Sequence, residues 1–374
     1  MKMISIIFYP ALLVVIGCLP VFAQLSDPDA TVQTKNLYRN LTGIAGQEVL
    51  FGHQDDLAYG VGWKYQKGRS DIKSLTGEYP AVFGWDVSGL EQDKSLNLDG
   101  VPFAKMREYI RMAYDSGAVN TLSWHMNNPA DGKTSWDTSS VAVRSALPNG
   151  AKHGLYKGWL DKFAVFVKSL KGSDGQAIPV LFRPFHENGG AWFWWGTKSC
   201  TPEEYKALWR FTVDYLQRKK GLHNLIYVYN TCDFSTEQQY LERYPGNRFV
   251  DVLSFDYYQY GKENGRKYVQ DVSRSLGIQH ALAKRSGKLS ALAETGFSAI
   301  PVPDWWTTVF AEAIRNYKPS YVLVWRNAGY REKEQDDHYY AAYPGQVSAS
   351  DFLKLIKEKK VLLQKGIQRY QIYK

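Results

Sequence analysis

Eight short apolar runs, separated by segments with helical spacing, constrain the fold of this chain more than any other feature. They are EVLFGH (48–53), AVFGWD (81–86), VNTLSWH (119–125), IPVLFRPFHE (178–187), NLIYVYN (224–230), VDVLSFDYY (250–258), LSALAE (289–294) and YVLVWRN (321–327). Most are continuously apolar rather than alternating, the pattern of strands covered on both faces by helices. The intervening stretches include 101–117, 156–172 and 201–221. In the last, Thr201 is placed as N-cap, Pro202 at the first helical position, Glu203 and Glu204 in the first turn, and Gly221 after a basic end. Eight β-then-α units in order predict an α/β fold, a closed (β/α)8 TIM barrel in a single domain. An open doubly wound sheet is the alternative, but no glycine-rich phosphate loop follows the first run. The residues from about Ser348 onward read as one closing helix.

The runs end in polar or aromatic residues: His53, Asp86, His125, Glu187, Asn230, Asp256, Glu294 and Trp325. In a barrel these ends meet on the face where active sites are built. Glu187 closes the fourth run and Glu294 the seventh, so the two can face each other across the mouth. A carboxyl pair without metal ligands nearby suits cleavage of a glycosidic bond, in which one group is protonated and the other ionised. Arg183 and Tyr258 are placed to bind and orient the Glu294 carboxylate. Glu187, walled by Trp192, is expected to be desolvated and protonated near neutral pH.

The chain has 12 Trp and 26 Tyr, a surplus that implies a binding surface. Sugar rings stack their C–H faces on indoles while polar groups bind the hydroxyl rim. Trp192 and Trp325 are the best platforms. Trp194 and Trp195 read equally well as core, and Trp85, Trp136, Trp305 and Trp306 are weaker candidates. His125 and His186 are expected as sugar-binding donors, with satisfied core histidines as the alternative. No H-E-x-x-H or related spacing occurs, so neither a metal nor a cofactor is expected.

The formal charge of +9 comes from scattered Lys and Arg, with one cluster at 357–360, and describes a solvated surface rather than a nucleic-acid face. Residues 1–23 read as a signal peptide cut after Ala23, which leaves 24–374 as one exported, periplasmic or secreted, catalytic domain with no membrane span. The competing pattern VIGC would instead place a lipid anchor on Cys18. Export would let Cys200 and Cys232 oxidise if the fold brought them together.

Taken in order, GWDVSGLE, LSWHMNNP, FRPFHENGGAWFWWG, SFDYY and ALAETGF resemble glycoside hydrolase family 26, a group of retaining barrel enzymes dominated by endo-β-1,4-mannanases. The resemblance runs from residue 51 to 328, and His186 before Glu187, where many clan relatives have Asn, favours family 26 over family 5. It implies Glu187 as general acid/base, Glu294 as nucleophile, and His125, His186 and Trp192 as sugar-binding positions. Tyr258 would orient the nucleophile, Arg183 would position both glutamates, and Trp325 would lie under the sugar that is cleaved. The implied substrate is mannan, glucomannan or galactomannan, cut by double displacement. Mixed-linkage β-glucan or β-1,3-xylan are alternatives at the same site, and a non-catalytic sugar-binding barrel is a further one. An accessible groove suggests a monomer.

Overall fold

A computed structural model describes residues 24–332, 335–358 and 361–374. The signal or lipoprotein segment 1–23, with Cys18, lies outside these residues. All eight runs form strands: β1 (Leu50–Gln54), β2 (Val82–Asp86), β3 (Val119–Trp124), β4 (Val180–Pro184), β5 (Leu225–Thr231), β6 (Val252–Gln259), β7 (Leu289–Phe297) and β8 (Tyr321–Val324). They pair in parallel in sequence order, and β1 pairs with β8 to close the barrel.

Alternation along each strand sorts the core into two layers. Leu50, Val82, Val119, Leu181, Ile226, Val252, Leu289 and Leu323 pack together inside the barrel. Phe51, Phe83, Leu122, Phe182, Tyr227, Leu253, Leu292 and Val322 face outward into the helices. The predicted helices occupy Phe103–Asp115, His153–Ser169 and Pro202–Asp214. The last carries a full capping box between Thr201 and Glu204, with Pro202 at its start, and then loosens into a π-turn over Tyr215–Lys219.

The barrel floor was not legible in the strand pattern. Helix Val32–Ile44 presents Leu37, Tyr38, Leu41 and Ile44 to the inner layer, at spacings that keep them on one face. The C-terminal segment is not one helix. It forms Ala349–Lys357 and then Gln364–Gln368, and between them Leu362 bonds in both directions with the backbone at the start of β1, its N–H to the carbonyl of Val49 just before the strand and its carbonyl to the Phe51 N–H. An extended stretch is needed there because those groups require backbone partners.

Candidate active site

Two strand ends differ from the sequence reading, and both differences aim a side chain. Strand β4 stops at Pro184, which has no N–H to continue the ladder. The chain then turns through left-handed residues, Phe185 at φ +49° and Glu187 at φ +52°. Glu187 therefore stands on a sharp turn beyond the strand rather than at its end. Strand β7 instead runs past Glu294 to Phe297. Its register slips on both sides: Leu292 pairs with Phe255 while Glu294 pairs with Asp256, and Val322 pairs with Leu292 while Val324 pairs with Thr295. This bulge at Ala293 changes the parity of the strand. Ala291 and Ala293 belong to the inner layer, so strict alternation would send Glu294 outward.

With the bulge, the Glu294 carboxylate reaches the mouth of the barrel. One of its oxygens accepts from Arg183 Nη2, and Tyr258 Oη donates to the other at 2.8 Å. Arg183 also donates to Asp256 Oδ2 at 2.7 Å, so the guanidinium bridges two buried carboxylates. The geometry leaves Glu294 with both oxygens oriented. One oxygen from each of Glu187, Asp256 and Glu294 lies within 4.8 Å of the others. Arg183 already supplies the positive charge that a cation would bring to that trio. At the opposite end Asp27, Asp29 and His223 also cluster, but Asp27 is paired with His223 at 2.9 Å.

Glu187 accepts a hydrogen bond from Trp192 Nε1 at 2.7 Å, and its backbone N–H donates to Asn230 Oδ1 at 2.7 Å. Burial raises its pKa to about 7, and the neighbouring Glu294 charge adds to the effect. The two carboxyls thus occupy different environments: one held by a cation and a phenol, the other by an indole in a desolvated turn.

His125 and His186 lie side by side, Nε2 to Nε2 at 3.1 Å. Asp86 accepts from His125 Nδ1 at 2.8 Å and from the His125 backbone N–H at 3.1 Å. Burial opposes charge on the His125 ring, but the Asp86 carboxylate outweighs it and raises the ring above the usual histidine range. Burial, and then the charge of His125, hold His186 well below that range.

The aromatic residues divide. Trp194 and Trp195 are core, with their N–H groups bonded to the carbonyls of Met126 and His186. Trp85, Trp305 and Trp306 are fully buried. Trp192 is exposed, and Trp325 is half-buried just beyond β8, its backbone N–H bonded to the carbonyl of Thr295 next to Glu294. Trp136 is promoted from the weaker candidates: it is half-exposed and stacks on His125 at 5.2 Å and 19°. Exposed Tyr260, two residues beyond Tyr258, was not singled out by the sequence, although it continues the same aromatic strand end. Cys200 and Cys232 are both free thiols.

Residues 26–345 match the family model for glycosyl hydrolase family 26. The chain belongs to glycosyl hydrolase family 26. Among its family relatives, a solved β-mannanase of Bacteroides ovatus is 44% identical with a TM-score of 0.87, over 92% of this chain and 98% of that one. A mannan endo-1,4-β-mannosidase of Bifidobacterium adolescentis is 33% identical over 91% of this chain, and one of Thermothelomyces thermophilus is 32% identical over 75% of it. The family-26 chain covers 35% and 54% of the lengths of those two curated relatives. No helix among the described residues is long and apolar enough to cross a membrane.

Proposed function

We propose that this family-26 chain hydrolyses β-1,4-mannosidic linkages in mannan polysaccharides with retention of configuration. The observation that carries the reading is the approach of Glu187 and Glu294, with oxygens within 4.8 Å. Retaining enzymes hold their carboxyls about 5 to 5.5 Å apart, whereas inverting enzymes leave roughly 6.5 to 9.5 Å for a water. The substrate class rests on relatives described as mannan endo-1,4-β-mannosidases and β-mannanases.

Glu294, oriented by Arg183 and Tyr258, attacks the anomeric carbon while Glu187 gives its proton to the departing glycosidic oxygen. The Glu294 charge then vanishes into a glycosyl ester. That charge is one of the causes holding the Glu187 pKa up, so Glu187 becomes a weaker proton holder and better suited to deprotonate the incoming water. One electrostatic contact thus serves both half-reactions. His125, His186, Trp192 and Trp325 bind the sugar, with Trp136 and Tyr260 as additional aromatic surface. Residues 1–23 are read as an export signal and the working form as a monomer.

Tyr258→Phe keeps the ring and removes the hydroxyl bonded to Glu294. Its kcat is expected to fall by roughly 10- to 100-fold, since a hydrogen bond to a charged group contributes about 1.5–3 kcal/mol. Steady-state kinetics on β-mannan check this, and an unchanged kcat would place the nucleophile elsewhere.

The function itself is tested by time-resolved product analysis on unbranched β-1,4-mannan, with glucomannan, β-glucan and xylan alongside. Early mixed manno-oligosaccharides are expected. Intact mannan beside a degraded glucan or xylan would overturn the substrate assignment while leaving the two glutamates in place. An α-anomer as the first product would overturn retention.

A further inference from the structure

Asn230, at the end of β5, is completely buried and holds groups on two neighbouring strand ends. Its amide oxygen accepts the Glu187 N–H at 2.7 Å. Its amide nitrogen donates to Ser254 Oγ at 2.9 Å and to Asp256 Oδ1 at 2.7 Å. The network fixes which way the amide points, because the reverse orientation would set N–H against N–H and oxygen against carboxylate. The Asn230 carbonyl also receives Asn188 Nδ2 at 2.6 Å, so the residues at 187 and 188 are both fastened to this one position.

That fastening matters because Glu187 sits in a left-handed conformation that a non-glycine residue does not hold without support. Aspartate here would oppose Asp256, alanine would leave the Glu187 N–H without its acceptor, and glutamine would be too long for the gap.

We propose that Asn230 is a positioning residue for the proton-transfer function of Glu187, holding the turn that aims its carboxyl at the glycosidic oxygen. The inference rests on the reading of Glu187 as the acid/base, and it predicts that loss of Asn230 harms the steps that need proton transfer more than the attack by Glu294.

The test compares two aryl β-mannobiosides that differ only in leaving group, phenol and 2,4-dinitrophenol. Phenol needs protonation as it departs, and the dinitrophenolate does not. For Asn230→Ala, kcat/KM on the phenyl substrate is expected to fall by about 100-fold, the lower end of what a general acid contributes, and that on the dinitrophenyl substrate by less than about fivefold. Azide, a nucleophile that needs no general base, should restore kcat on the activated substrate.

Asn230→Asp, of nearly the same volume, keeps an acceptor for the Glu187 N–H. It is expected to keep the ratio between the two substrates close to that of the parent, even if Asp256 lowers both rates, and it serves as the readout if the alanine variant does not fold. Equal losses on both substrates for Asn230→Ala, or an alanine-like ratio for Asn230→Asp, would overturn the inference. Glu187→Ala is run alongside. If it also lacks leaving-group selectivity, the acid/base reading itself fails; if it shows selectivity and Asn230→Ala does not, only the role of Asn230 fails.

Discussion

Glu294→Ala is expected to lower turnover on β-mannan by on the order of 10⁵-fold, about 7 kcal/mol of transition-state stabilisation, the scale seen when an enzymatic nucleophile is removed. Binding should survive. Glu294 takes its hydrogen bonds from Arg183 and Tyr258 rather than from the aromatic platforms or the His125–His186 pair, and Arg183 keeps its bond to Asp256. Isothermal titration with manno-oligosaccharides would therefore show affinity within a few-fold of the parent. The stereochemistry of rescue is more diagnostic than the loss. With Glu294 shortened, azide can enter the vacated space and attack an activated mannobioside from the face Glu294 would have used. The product is then an α-glycosyl azide, because a single displacement inverts. In Glu187→Ala, azide meets the glycosyl-enzyme and the second displacement gives the β-azide. Opposite anomers from the two variants would assign both carboxyls at once. The same anomer from both, or full activity in Glu294→Ala, would defeat the assignment.

The strands of this fold are legible because most are apolar on both faces, which leaves helix-covered parallel strands as the arrangement that buries them. The identity of the site is legible for a related reason: polar residues close runs that are otherwise apolar, and a barrel gathers those ends. What the sequence does not display is backbone parity. Nothing in LSALAE announces a bulge at Ala293, yet without it Glu294 would lie on the helix side of the strand. Nor does IPVLFRPFHE show that the strand stops at Pro184 and that Glu187 is held in a left-handed turn. Both departures involve the two carboxyls, as expected where local backbone rules give way to function. The supporting residues were hidden for another reason. Asn230 and Asp86 look like any polar strand end, and their importance lies in partners 43 and 39 residues away in the chain. Trp136 was undervalued because it belongs to a loop, where spacing carries no information about what a side chain will cover.

The environment of Glu187 carries the second large prediction, in which activity and stability move in opposite directions. Its carboxyl titrates at about 7, so the fraction able to donate a proton declines as pH rises through neutrality. On β-mannan, kcat/KM should show a basic limb near pH 7, and Glu187→Gln should lose that limb along with roughly 10²- to 10⁴-fold of activity. The same raised pKa affects folding. The native protein retains a proton on Glu187 that the unfolded chain gives up above its ordinary carboxyl range, so the native state binds more protons between about 4.5 and about 7. Stability from this group is fully present below the lower value and declines as pH rises through the upper one. Glutamine cannot ionise and should escape that loss. Thermal melting is therefore expected to place Glu187→Gln above the parent at pH 8 and to bring the two together as pH falls below about 4.5, where the parent carboxyl becomes neutral in both states. A parent more stable than the glutamine variant at pH 8 would mean that the ionised carboxylate is better accommodated than its desolvated setting beside Glu294 implies. In that case the proton needed by the leaving group would have to come from elsewhere.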